Sequence, residues 1–266
     1  TLDIETNITT RDGKNHLDPF EPDNSLVVVG IMTDTGDKVC YTFDHPESDG
    51  IDNHSNVQDY LDKATVLICH NAAYELAWLW ECGFKYEGPV WDTMLVEYVL
   101  RRGQKDGSIS LGACADKYDL TRKLGTLKEY YDKGCNTNDI PLDELSEYCM
   151  TDVKATQELS DLQWKKLNTV TYASLMPTVD LTNSLCNVLA DTYRNGIKVD
   201  LEILDEVRKE FENEQRNLKQ ELDNDIQQLM GDTKVNLSSP EQLSWVVYSR
   251  KPRDKNLWAN SYNEYM

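Results

Sequence analysis

Apolar residues in the first third of the chain fall in short, β-branched runs separated by polar turns. Residues 2–5 alternate apolar and polar, and residues 26–33 (LVVVGIMT) are long enough for a buried strand. Residues 38–43 (KVCYTF) can pair with that strand across the turn signal Asp34-Thr35-Gly36-Asp37. A polar loop with Gly13, Pro19 and Pro22 separates the first two runs, and residues 65–69 read as a further buried strand. The period then becomes helical over 72–82, 93–102, 111–118 and 141 to about 167. Asp92 is placed to cap the second of these helices, and Pro141 suits the first turn of the last. Strands, a helix, a strand and then helices predict a mixed α/β domain over residues 1–168.

Residues 169–266 read as all-helical. Pro177 interrupts the pattern, and a helix over 178–194 stops at Asn195-Gly196. After a short extended segment, a long helix over about 201–230 carries Ile203, Val207, Phe211, Leu218, Leu222, Ile226 and Leu229 at helical spacing. It stops at Gly231, and Ser238-Ser239-Pro240-Glu241 opens another helix before Leu243, Val246 and Val247. No tandem repeat or low-complexity tract is visible.

Charge narrows the function classes. The 266 residues hold 27 basic and 47 acidic side chains, a net of −20. That balance excludes a simple basic nucleic-acid binder, which gains affinity by placing Lys and Arg on phosphates. It leaves open an enzyme that handles nucleic acid through metal ions. Residues 169–266 carry 11 basic and 16 acidic residues, so the first 168 hold −15 of the −20. The most apolar stretch, 26–32, is far shorter than the ~20 residues of a membrane-spanning helix. No leader pattern opens the chain, which begins at Thr1 and runs into a strand-like segment, as a fragment or a processed start would. Seven cysteines with no C-x-x-C pair point to reduced thiols and a cytoplasmic setting.

Four places carry candidate chemistry. Asp3 and Glu5 are two apart on a strand and share a face. Tyr148 and Asp152 are four apart on a helix and share a face. Glu75 lies at a helix start just after a buried strand, and Asp92 opens the next helix. Singly, each has an ordinary reading: a solvated strand face, a structural helix pair, a carboxylate at a helix N-terminus, a cap. Brought to one sheet edge, the carboxylates would repel one another and need cations. Hard oxygen ligands suit Mg²⁺ or Mn²⁺, and a pair of such ions is the arrangement that hydrolyses phosphodiesters. An acidic calcium-binding protein is excluded, because no D-x-[DN]-x-[DN]-G loop is present.

The runs Asp3-Ile4-Glu5-Thr6, Asn71-Ala72-Ala73-Tyr74-Glu75 and Tyr148-Cys149-Met150-Thr151-Asp152 resemble the three motifs of the DEDD 3′–5′ exonucleases, tyrosine subtype. The resemblance implies a ribonuclease-H-like exonuclease fold, a mixed central sheet flanked by helices. Trp91-Asp92-Thr93-Met94-Leu95 and the segment from Ser110-Leu111-Gly112 to Lys117-Tyr118 are similar to the proofreading domain of family A DNA polymerases. Arg194-Asn195-Gly196-Ile197-Lys198-Val199-Asp200 and Asn236-Leu237-Ser238-Ser239-Pro240-Glu241-Gln242-Leu243 resemble the start of the thumb of that family's polymerase domain, in a wording closer to phage enzymes. One departure is plain: the second motif usually ends in Asp, and here it ends in Glu75.

The resemblance implies two divalent ions, Mg²⁺ or Mn²⁺, held by Asp3, Glu5, Asp152 and Glu75, with Tyr148 orienting the attacking water. It implies contacts from Thr6, Asn71 and Tyr74 to the terminal nucleotide of a single-stranded DNA 3′ end. Tyr74, Trp78 and Tyr41 are stacking candidates, with a core role as the alternative. Arg250, Lys251, Arg253 and Lys255 are candidate DNA-backbone contacts, or a solvated tail. No palm carboxylates follow the thumb-like segment, so the expectation is an exonuclease that does not itself polymerise, with palm and fingers on further chain or another subunit. An RNA-directed ribonuclease D-like enzyme and a non-catalytic replisome scaffold are the rivals. The expected setting is bacterial cytoplasm, the chain's own or that of a phage host.

Overall fold

Strand β4 (Ser25–Met32) is apolar at almost every position and buried on both faces, so it takes the centre of a sheet. The computed structural model describes residues 1–11, 13–104, 107–121, 126–230 and 235–248. On one side β4 pairs antiparallel with β1 (Leu2–Asn7), and on the other with β5 (Lys38–Thr42). Along β1, Leu2, Ile4 and Thr6 are buried while Asp3, Glu5 and Asn7 are half-buried, the predicted alternation. Between β1 and β4 lies a short hairpin, β2 (Thr9–Arg11) and β3 (Lys14–His16). It occupies the stretch expected to be loop. Its polar sequence gives no strand signal; the Asn24 side chain pins it, accepting from Thr9 N–H at 2.6 Å and donating to His16 O at 2.8 Å.

The helix α1 (His54–Lys63) buries only Val57 and Leu61, too thin an apolar stripe to announce itself. Strand β6 (Leu67–Cys69) pairs in parallel with β7 (Val90–Asp92), a three-residue strand with no pattern of its own. The remaining helices of the first unit are α2 (Ala72–Glu81), α3 (Thr93–Leu100), α4 (Leu111–Tyr118), α5 (Thr126–Asp132), α6 (Leu142–Leu167) and α7 (Met176–Asn195). Neither α1 nor α5 is predicted from the sequence pattern. Pro177, expected to break a helix, sits in the first turn of α7, where its missing N–H has no intrahelical partner to lose.

Helix α6 crosses the β1–β4–β5 sheet. Asp3, Gly30 and Cys40 face one another across the three strands. A Cβ at Gly30 would stand 2.7 Å from Cys149 Sγ and 2.9 Å from Val153 Cγ2, so the glycine lets α6 settle against the central strand. Helix α7 packs on α2 and α3, and the first compact unit runs from Thr1 to Gly196.

The second unit, Ile197–Met266, contains α8 (Leu201–Met230) and α9 (Pro240–Tyr248), as the periodicity predicts. Asp200 Oδ1 caps α8 by accepting from the N–H groups of Glu202 and Ile203. Ser239 caps α9, its hydroxyl accepting from Gln242 N–H, while Gln242 Oε1 reaches back to Asn236 N–H at 2.7 Å. The Asn236–Gln242 run is thus a helix-starting device. Arg250, Lys251, Arg253, Lys255 and the stop signal Gly231 lie outside the described residues. All seven cysteines are free thiols, and among the described residues no helix is long and apolar enough to cross a membrane.

Gly30→Ala should destabilise the first unit by about 1–3 kcal/mol through overpacking against Cys149 and Val153. Urea unfolding measures this; an unchanged midpoint would show that α6 does not rest on Gly30.

Candidate active site

The β1 pleat directs Asp3 and Glu5 to one face, and helical spacing puts Asp152 one turn beyond Tyr148 on α6. Asp3, Glu5 and Asp152 each offer a carboxylate oxygen lying within 4.8 Å of the other two. Two full charges 4 Å apart repel by about 4 kcal/mol at an effective dielectric near 20, so three such groups call for a cation or a proton. Cys149 Sγ lies 3.8 Å from Asp3 Oδ2 and 3.7 Å from Asp3 O, a weak donor to both. Tyr148 is buried beside them.

Glu75 comes in from the first turn of α2 and lies outside that three-oxygen group. It is only 4% exposed, and its Oε2 has no hydrogen-bond partner among the described residues. Burial, and after it the charge of Asp3, pushes its pKa well above the usual carboxylate range. A buried carboxylate oxygen without a partner, next to three converging carboxylates, is a hard-oxygen donor set that fits Mg²⁺ or Mn²⁺.

Asp92 does more than cap α3. Its oxygens accept from Met94 and Leu95 N–H at the start of α3, and from Asn71 and Ala72 N–H at the start of α2. One buried carboxylate therefore ties the turn that presents Glu75 to the start of α3. Burial raises its pKa, and those four backbone donors pull the other way. Asn183 of α7 accepts the Asp92 N–H at 3.2 Å.

The family model for the 3′–5′ exonuclease of A-type DNA polymerases matches residues 16–168. The chain belongs to this 3′–5′ exonuclease family, a group of nuclease hydrolases. The match starts after β1, so the placing of Asp3 and Glu5 rests on geometry. The chain is 25% identical over 192 residues to DNA polymerase I of Geobacillus stearothermophilus, covering 72% of this chain and 20% of that one. It is 27% identical over 190 residues to DNA polymerase I of Synechocystis sp., covering 71% of this chain and 18% of that one. It thus spans about a fifth of the length of these curated relatives. Among solved structures, the POL domain of Pol1 from M. smegmatis, in complex with DNA primer-template and dNTP, aligns with a TM-score of 0.58 at 18% identity, covering 91% of this chain and 40% of that chain. Brucella melitensis NrnC bound to pGG aligns at 0.53 and 16% identity, covering 73% of this chain and 85% of that chain. At these identities the two structures speak to the fold, which is the mixed α/β exonuclease fold followed by helices.

Within this exonuclease fold the other predicted residues separate. Thr6 Oγ1 and Tyr74 Oη share a hydrogen bond of 2.9 Å, joining β1 to α2. Asn71 is exposed, with φ at +83°, a left-handed conformation that Asn tolerates. Trp78 is a core residue, 2% exposed, donating its indole N–H to Leu17 O, and Tyr41 packs against Tyr60 with ring centroids 6.3 Å apart. The core role holds for Trp78, while Tyr41 is half-buried against the edge of the core. A cavity of about 260 Å³ opens against Tyr74, walled by Leu17, Pro19 and Tyr193. The sequence reading passed over Cys149 and Gly30. The glycine inside a β-branched run was the available signal, since such a residue marks a close approach.

Because folded Glu75 holds its proton more tightly than the unfolded chain, the folded state binds more protons between the two pKa values. Stability in the absence of metal therefore falls as pH rises through that window. Glu75→Gln copies the neutral form. It should melt a few degrees above the unaltered protein near about pH 8 with a chelator present, the gap closing toward the ordinary carboxylate pKa. Differential scanning calorimetry measures this; an equal or lower melting temperature at the higher pH contradicts the buried, unpartnered placement.

Proposed function

We propose that this chain is a divalent-metal-dependent exonuclease of the tyrosine subtype, removing nucleotides from single-stranded DNA 3′ ends as the proofreading part of a family A DNA polymerase. The observation that carries this is the convergence of Asp3, Glu5 and Asp152 within 4.8 Å, with the buried Glu75 beside them, its Oε2 without a hydrogen-bond partner among the described residues. In this reading those four carboxylates hold two Mg²⁺ or Mn²⁺ ions. Bound there, the ions would supply an activated water and charge neutralisation at phosphorus.

The chain's own residues do the rest. Tyr148, one helical turn before Asp152, orients the attacking water through its hydroxyl. The Thr6–Tyr74 pair and the exposed Asn71 position the terminal nucleotide, and the cavity against Tyr74 gives its base an apolar wall. Residues 1–168 form the exonuclease and residues 169–266 the start of the thumb; the structure packs α7 of the latter range into the first unit. Palm and fingers, and polymerisation with them, belong to further chain or another subunit.

NrnC was solved with pGG, and a short oligonucleotide substrate is the second reading its likeness supports. A rate comparison on a dinucleotide and on a long single strand of the same sugar type separates the two. With Mg²⁺ the protein should shorten a 5′-labelled DNA strand from its 3′ end, and a chelator should stop it. Asp3→Ala and Asp152→Ala should abolish cleavage with the melting temperature retained, and Tyr148→Phe should slow it by about 10²-fold. Cleavage at the full rate in Asp152→Ala would overturn the assignment.

A further inference from the structure

Away from the carboxylates, where α3, α4 and the end of α6 meet, the chain gathers cations instead. Glu97 of α3 is wholly buried and accepts from Lys117 Nζ at 3.0 Å and from Tyr118 Oη at 3.0 Å, with Arg101 Nε at 3.6 Å. The guanidinium of Arg101 also donates to the carbonyls of Gly107 and Ser108. Lys166 arrives from α6 with its Nζ 3.9 Å from the centroid of the Tyr118 ring, and Lys117 Nζ lies 5.1 Å from the same centroid. Among the described residues no carboxylate is within ion-pair distance of Lys166. Burial and the neighbouring Lys117 hold its pKa down, while Glu97 pulls it up.

These groups wall a cavity of about 170 Å³. Among the described residues its charged lining is Arg101, Lys117 and Lys166 with the carboxylate Glu97. In a protein of net charge −20, two ammonium groups crowded onto one ring around a space are paired only in part.

We propose that this corner binds a phosphate oxyanion, held by the ammonium groups of Lys166 and Lys117. The Arg101 fork is occupied by two backbone carbonyls, so planar bidentate recognition of a carboxylate is not on offer; lysines acting as point charges suit a tetrahedral anion. The volume admits one phosphate group and a few waters at ~30 Å³ each, so any attached nucleoside would lie outside the cavity. Lys166 lies fourteen residues beyond Asp152 on the same helix, ~21 Å along its axis, so this is not the site of the bond being cut. The phosphate is either free or part of a nucleic-acid backbone.

Calorimetric titration of inorganic phosphate into the whole chain, at low salt with a chelator present, tests this without reference to catalysis. The unaltered protein should bind saturably. Lys166→Gln should bind at least about tenfold more weakly, near the 1.4 kcal/mol of a lost ion contact. Lys154→Gln, on the same helix but paired with Glu158 at 3.8 Å, should bind as the unaltered protein does. Lys117→Gln should also weaken binding, with its melting curve recorded because it loosens Glu97. Strand degradation then gives the source. A raised KM with unchanged kcat in Lys166→Gln assigns the site to the substrate backbone; an unchanged KM beside lost phosphate binding assigns it to free phosphate. Absence of saturable binding, or equal binding in Lys166→Gln, overturns the proposal.

Discussion

The depth at which α6 lies on β4 decides the geometry of the candidate site. Asp152 and Tyr148 are on the helix, Asp3 and Glu5 are on the neighbouring strand, and no covalent feature brings the two together. The contact is made where Gly30 leaves out a side chain and Cys149 and Val153 fill the room. Cys149 then lies against both Gly30 and the carboxylate of Asp3, so the packing contact and the functional cluster share a residue.

That closeness is unfavourable by itself. Hydrophobic burial of β4 and of the α6 face supplies the stability that lets three carboxylates converge within 4.8 Å and a fourth go under with one oxygen unpaired among the described residues. The Asp92 hub holds the fourth in place: four backbone donors from two helix starts converge on one buried side chain, and α7 closes over it through Asn183. Carboxylates held this close are favoured by a cation or a proton between them. Four of the chain's 47 acidic side chains gather here, while the α3–α4–α6 corner gathers cations.

Much of this was legible in the residues. The β1 alternation, the Tyr148–Asp152 spacing, the capping role of Asp92 and the long α8 follow from period and cap chemistry alone, because each depends on neighbours in sequence. The short strands β2, β3 and β7 and the helix α5 did not show, since a three-residue strand or a polar helix takes its stability from distant partners such as Asn24. Pro177 was misread for a related reason: a proline at a helix start and one between helices look alike until the partner helices are known. Among the site residues, the second role of Asp92 and the wedge formed by Gly30 and Cys149 are tertiary facts. Trp78 carried the composition of a stacking surface and the burial of a core.

Helix α6 and the sheet together bring three carboxylates to a position where divalent ions would be held in the proposed reading. Calorimetric titration of Mn²⁺ into the metal-free protein tests it most directly. More than one ion per chain should bind, and Asp152→Asn, which keeps the side chain's shape and removes its charge, should lose the tighter of them. Unchanged affinity and stoichiometry in Asp152→Asn would contradict the account.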